Sequence, residues 1–136
     1  MTSLNGQSPV LLEKVYEVIE KKLPADTAKL VVEFTDRLYQ NVSRDDLIGR
    51  DYSNIYGSVV SLWHSFNNYA HGNEAQIRVY NPEASKHGWE SPYTVVEIIQ
   101  VDMPFMVDSV RMALNRFGIK PHLFLQAPFT HSRNEA

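Results

Sequence analysis

The sequence predicts an α+β fold, with helices in its first half and a small sheet in its second. Three observations carry this. Apolar residues recur at helical spacing as far as Tyr69, the signature of buried helix faces. After Gly72 the period shortens to the alternation of a half-buried strand. A run dense in β-branched residues, 93–101, then precedes another helical pattern and a final apolar stretch. The element order is helices followed by β-loop-β-α-β. Its last three elements make one βαβ crossover, for which two parallel strands and a right-handed connection are expected.

The helical half is read from stripes and punctuation. Residues 1–8 are small and polar, a composition that frays. Ser8-Pro9 is a helix start, a hydroxyl cap followed by a residue that needs no N–H at the first position. Leu11, Leu12, Val15, Val18 and Ile19 then form one stripe, which Pro24 ends. Leu30, Val31, Phe34 and Leu38 mark the next helix, capped by Asp26 or Thr27. Ser43, Asp45 and Asp46 suggest a short helix closed by Gly49, since carboxylates favour the first turn. Asp51 opens a third long helix whose stripe is Ile55, Val59, Leu62, Trp63, Phe66 and Tyr69.

In the second half, Gln76 to Tyr80 alternates polar and apolar and reads as a strand. Residues 81–92 contain two prolines and a glycine and read as a loop. Residues 93–101 form the strand of highest propensity. Asp102-Met103-Pro104 is a break from which a helix starts, with Phe105, Met106, Val110, Ala113, Leu114 and Phe117 as its buried side and Gly118 as its end. Residues 119–129 read as a third strand weakened by Pro121 and Pro128. The expected organisation is an N-terminus at 1–8, a helical segment at 9–72, a β-β-α-β unit at 73–129 and a tail at 130–136.

Composition excludes several function classes. The 136 residues suit one domain with a genuine core, and 43% hydrophobic with 21% charged is the balance of a globular chain. A net charge of −3 lacks the basic field that phosphate backbones require, so no nucleic-acid partner is expected. No stretch approaches the ~20 apolar residues of a membrane span. Met1 to Pro9 has no basic residue and no apolar run, unlike a signal peptide. Without cysteine there are no disulfides and no thiolate chemistry, which fits a cytoplasmic location.

The motifs of common chemistry are missing as well. The six glycines show neither G-x-G-x-x-G nor G-x-x-x-x-G-K-[ST] spacing, so no nucleotide cofactor is expected in this chain. The five histidines include no H-x-x-x-H pair, and no metal site is expected. No G-x-S-x-G elbow occurs, and no catalytic residue is assigned. Asp102 and Asp108 flank the strand-to-helix turn. They either hold a polar ligand beside free helix N–H groups or offset the helix dipole. Arg111 and Arg116 either grip a carboxylate or stand solvated; five apart on one helix, they do not share a face well, which favours solvation. Trp89 lies in a loop, where it covers a sheet edge, meets a neighbouring domain or packs locally. Met103 and Met106 are adaptable packing groups at the same turn.

Several stretches together carry a resemblance. They are Arg78-Val79-Tyr80-Asn81-Pro82, the run from Gly88-Trp89 through Ile98, and Asp102-Met103-Pro104-Phe105-Met106-Val107-Asp108-Ser109-Val110. Leu47 to Asp51, Ile55-Tyr56-Gly57, Ser61-Leu62-Trp63 and Leu114 to Gly118 join them. Over residues 28 to 129 the chain resembles the N-terminal region of the large bacterial NAD-specific glutamate dehydrogenases.

That resemblance implies ACT-like (ferredoxin-like) domains, βαββαβ modules that often bind amino acids and pair through their sheets, ahead of a distant catalytic domain. It implies NAD-linked oxidation of L-glutamate to 2-oxoglutarate and ammonium in the full-length enzyme. The family's catalytic lysine and Rossmann glycines match no position here. NAD is therefore implied for the whole enzyme and no cofactor for this chain.

The expected role is a regulatory or assembly domain containing a partial ACT-like βαβ unit, with the remaining domains of a parent chain as partners. The ACT module needs a second β-α-β half; either the chain is a piece of a longer one, or strands from another copy complete the sheet, and self-association through an open sheet edge is expected. An amino-acid effector, if bound, is expected at Asp102, Met103, Pro104, Phe105, Met106 and Val107, and an interface at Trp89. The rival is a pure interaction module without a ligand.

Overall fold

A computed structural model describes residues 10–40, 42–47, 50–69, 74–100, 106–121 and 123–126. Six helices and two strands run in the order α1 (Val10–Lys22), α2 (Ala25–Tyr39), α3 (Arg44–Leu47), α4 (Tyr52–Asn67), β1 (Gln76–Tyr80), α5 (Ala84–His87), β2 (Val95–Ile99) and α6 (Met106–Arg116). The class is α+β, as the change of period predicts.

The helical layer follows its stripes. Leu12, Val15, Tyr16 and Ile19 of α1 are buried against Val31, Phe34, Leu38 and Tyr39 of α2 and against Ile55, Val59 and Trp63 of α4. Leu47 of α3 joins this core. Phe34 meets Trp63 edge-on at 5.2 Å and stacks on Phe66 at 5.9 Å, geometries that suit the ring quadrupoles. Thr35 is wholly buried, and its hydroxyl donates to the Val31 carbonyl at 2.7 Å, which satisfies it within the helix. The Asp51 carboxylate accepts from the Ser53 N–H at 3.0 Å and caps α4.

Helix α4 ends at Asn67, one residue pair short of the stripe read from sequence. Tyr69 is nonetheless buried, and its hydroxyl donates to the Glu74 carbonyl at 3.0 Å, tying the helix exit to the approach of β1. The glycine read as the end of this helix, Gly72, lies outside the described residues, as do Ser8-Pro9 and Gly49.

Burial holds the phenols of Tyr16, Tyr39 and Tyr56 above their ordinary value of 10.0. Asp36, which accepts from the Tyr16 hydroxyl at 3.4 Å, raises Tyr16 further. Ser58 and Arg50 partly oppose the effect at Tyr39. A raised folded value favours the neutral phenol. That contribution to stability is intact below about pH 10, the unfolded value, and is lost as pH climbs above it. Denaturant melts are expected to weaken as pH rises from about 10 to about 12, as linkage requires. Tyr16→Phe is expected to lose less stability over that interval than the native chain. Equal losses would remove Tyr16 from the explanation.

The two strands pair antiparallel with Gln76 opposite Ile99, Arg78 opposite Glu97 and Tyr80 opposite Val95. Alternation predicts a half-buried β1, and β1 is half-buried, but with its polar side inward. Gln76, Arg78 and Tyr80 are partly covered, while Ile77 and Val79 are 62% and 61% exposed. Helix α4 packs against β2. The connection read as loop at 81–92 contains α5, which ends at Gly88 with φ +79°. The left-handed region costs glycine little.

The crossover differs from expectation. Among the described residues, 119–121 and 123–126 form no strand, and the sheet has two antiparallel strands instead of a closed βαβ unit. Pro121 has no N–H to give a ladder. The chain leaves α6 through Gly118, at φ +70°, with the Ile119 N–H bonded to the Leu114 carbonyl at 2.9 Å and the Gly118 N–H to Asn115 at 3.0 Å. This is the Schellman pattern. The apolar side expected to be buried on α6 is largely uncovered: the helix has no buried residue, and Phe117 just past it is 77% exposed. Among the described residues no third strand lies beside this face. Phe105 lies outside the described residues. Leu125 returns to pack against the helical core.

Candidate functional site

The chemistry of the described residues concentrates at the seam between α4 and the polar face of the sheet. Alternation in β1 puts Arg78 on that face, and alternation in β2 does the same for Glu97. The register sets them opposite one another. The Arg78 Nη2 donates to Glu97 Oε2 at 2.7 Å and to the Ser61 hydroxyl of α4 at 2.8 Å. Glu97 is deeply buried, its side chain 6% exposed against 35% for Arg78. A buried carboxylate is tolerated only when so partnered. The guanidinium lies over the Tyr80 ring, with Cζ 4.1 Å from the centroid, a cation–π arrangement. The Arg78 Nε is buried without a partner among the described residues.

Tyr80 collects further neighbours. His87 lies 4.8 Å from its ring, and Trp89 meets it edge-on at 6.3 Å. The His87 Nδ1 accepts from the Glu83 backbone N–H at 2.9 Å. The structure places Trp89 half-buried against α4, where the contact depends on Gly57. A Cβ at Gly57 would lie 2.6 Å from the Trp89 Cβ and 2.9 Å from the Gly88 carbonyl oxygen. Glycine is therefore required here by close approach rather than by backbone conformation. The Trp89 Nε1 is buried without an acceptor among the described residues. Asn54 of α4 accepts from the Glu90 N–H at 3.1 Å and holds the same segment to the helix.

A groove of about 560 Å³ runs along this seam, lined by Ser61, His64 and Ser65 of α4, Gln76 and Arg78 of β1, and Lys86 and His87 of α5, with Gly57 and Gly88 at one side. Its mouth is wide. A second shallow depression, near Glu83 and Glu90, contains Pro82 and Pro92. Among the described residues no group of three or more His, Asp or Glu side chains is placed to hold a metal ion, and no helix is long and apolar enough to cross a membrane.

Of the residues singled out by sequence at the strand-to-helix turn, Asp102, Met103, Pro104 and Phe105 lie outside the described residues. Met106 and Val107 begin α6 and are half-buried. Arg111, read as solvated, is exposed and stacks over the Phe124 ring with Cζ 4.2 Å from the centroid. The Arg78–Glu97–Ser61 network was visible only as charges in two strands, because sequence does not reveal their register. What the structure does bring together is four of the stretches that carry the family resemblance. Tyr56-Gly57, Ser61, Arg78 to Tyr80, and Gly88-Trp89 with Glu97 all meet at this seam.

Helices laid on a small antiparallel sheet define an α+β domain, and an ACT-type domain fits it. Comparison with known proteins gives the family. The model of the glutamate dehydrogenase ACT1 domain matches residues 34–136, and the chain belongs to that family. An NAD-specific glutamate dehydrogenase from Halomonas elongata is 34% identical over 125 residues, which cover 92% of this chain and 8% of that protein. Its counterpart from Pseudomonas aeruginosa is 39% identical over 103 residues, 76% of this chain and 6% of that protein. The chain thus spans less than a tenth of the length of these relatives. No solved structure matches it.

Proposed function

We propose that this chain is a non-catalytic regulatory and assembly domain of a large NAD-dependent glutamate dehydrogenase. The chemistry of that enzyme, oxidation of L-glutamate to 2-oxoglutarate and ammonium with NAD as acceptor, resides elsewhere in the parent protein. The observation that carries the assembly role is the outward face of the sheet. Ile77 pairs with Ile98 and Val79 with Val96 across the strands, and Ile77, Val79 and Val96 are each more than half exposed. Apolar cross-strand pairs stabilise a sheet. A contiguous apolar face of this kind is a contact surface waiting to be covered.

The regulatory role rests on family membership and on the sequence reading of Asp102 to Val107 as the approach to α6. There, N–H groups at the start of α6 suit the carboxylate of an amino-acid effector. Trp89 borders the contact with a neighbouring domain in this reading.

The double substitution Ile77→Lys/Val96→Lys tests the assembly role. Both positions face solvent but each belongs to an apolar cross-strand pair, so the melt of the chain is expected to move by about 0.5–2 kcal/mol and the fold to be kept. Sedimentation is expected to show concentration-dependent association of the native chain and its loss in the variant. A native chain that stays monomeric at every concentration would count against self-association through this face. Calorimetry and thermal shift with glutamate and other amino acids test the regulatory half. Silence for all of them would leave the pure interaction module as the better reading.

A further inference from the structure

We propose that the groove between α4 and the β1–α5 segment binds a small molecule through its oxyanion, a carboxylate or a phosphate, held by Ser61, Arg78, Lys86 and His87. None of the residues lining the groove belongs to 102–107, and the inference does not depend on the assembly role.

The lining argues for an anion by what it contains and what it lacks. The chain carries 16 acidic against 13 basic residues, yet none of the residues lining the groove is acidic, while Arg78, Lys86 and two histidines are among them. Glu97 and Glu83 pair with the two cations from outside that lining, so the groove offers an anion hydrogen-bond donors with no carboxylate facing it, rather than a net positive field.

The donors at this groove have capacity left. Arg78 uses Nη2 for Glu97 and Ser61, and its Nη1 has no protein partner among the described residues. Glu97 lies beneath the guanidinium, almost wholly buried, and helps hold it over Tyr80. It thus positions the cation, although it also offsets part of the charge. Ser61 accepts from Arg78, so its own hydroxyl hydrogen remains to be donated. The His87 Nδ1 is occupied by the Glu83 N–H, which places the proton of a neutral imidazole on Nε2 as a donor. Lys86 pairs with Glu83 at 3.1 Å, both largely exposed. Such a surface pair holds the ammonium weakly and lets it turn to a better partner.

Ser61 comes from α4, Arg78 from β1, and Lys86 and His87 from α5. Three elements therefore supply hydrogen-bond donors to one groove of about 560 Å³, within the size range of small-metabolite sites.

The test is an amide-resolved NMR titration of the full chain with succinate and, separately, inorganic phosphate, at constant ionic strength set by chloride. We expect saturable shifts centred on Ser61, His64, Arg78 and residues 86–88, with a Kd of about 1 mM or tighter. Lys86→Gln is expected to weaken binding roughly threefold and Lys86→Gln/His87→Gln roughly tenfold, the scale of losing one and two charge-assisted or polar donors. Both substitutions are on the exposed short helix and leave Arg78 and Glu97 in place.

Saturation by succinate alone assigns a carboxylate ligand, by phosphate alone a phosphoryl ligand, and by both the shared oxyanion chemistry. The proposal is overturned if neither saturates, if chloride produces the same shifts, if the shifts centre on 106–110 instead, or if the double variant binds as tightly as the native chain.

Discussion

Arg78→Met is expected to destabilise the chain by about 2–3 kcal/mol, the range for losing hydrogen bonds to a charged group that is left buried. Glu97 has its side chain 6% exposed, with the Arg78 guanidinium 2.7 Å away. Methionine preserves much of the apolar stem but leaves that carboxylate unpaired. Removing one partner of a fully buried pair costs about 3–5 kcal/mol. The expected figure is lower because Arg78 is about one-third exposed, and water already screens part of the interaction. The loss includes the stacking on Tyr80, worth about 0.5–1 kcal/mol.

The double substitution Arg78→Met/Glu97→Leu is expected to recover part of the loss, since it removes the orphaned charge along with its partner. Urea melts of the native chain, both single variants and the double variant form the cycle that measures the coupling. A loss below about 0.5 kcal/mol in Arg78→Met, the level of an ordinary surface change, would show that the pair does not hold the sheet to α4.

Gly57→Ala is expected to destabilise by about 1–2 kcal/mol, against the usual rule for helices. In an exposed helix interior, alanine is better than glycine by about 1 kcal/mol. Here the new Cβ meets the Trp89 Cβ at 2.6 Å and the Gly88 carbonyl oxygen at 2.9 Å. Neither is the free end of a flexible side chain. The 88–89 segment must lift away from α4, and overpacking of this kind costs typically 1–3 kcal/mol, more than the propensity gain.

A Trp63→Phe background leaves Trp89 as the remaining indole. Its emission is then expected to shift to the red when Gly57 becomes Ala, as the half-buried ring gains solvent. A more stable Gly57→Ala chain with unshifted emission would refute the close approach.

The parts of the molecule that could be read from sequence are those governed by local spacing. The stripes of α1, α2 and α4 bury or half-bury the residues they nominate, because helical period and core contact are the same geometric fact. Strand β1 was equally visible as an alternating run, but alternation offers two faces and does not say which one turns inward. Ile77 and Val79 look like the buried side. The position of α4 turns Arg78 toward Ser61 instead. Gly57 gave one weak hint, a glycine inside a helical pattern, which often marks a close backbone approach. Only the fold shows that Trp89, more than thirty residues on, is what approaches.

The third strand shows the converse. Residues 119–129 have strand-like composition, but a strand exists only by pairing, and 119–121 and 123–126 meet no partner strand among the described residues.

By itself, then, the sequence determined the α+β class, the helical core and the family to which the chain belongs, because these rest on period, composition and contiguous motifs. Tertiary structure alone decided which face of the sheet is covered, which carboxylate answers Arg78, and where a groove free of acidic lining opens. Those depend on register and on contacts between residues far apart in the chain, and each is a property of pairs that no single stretch contains.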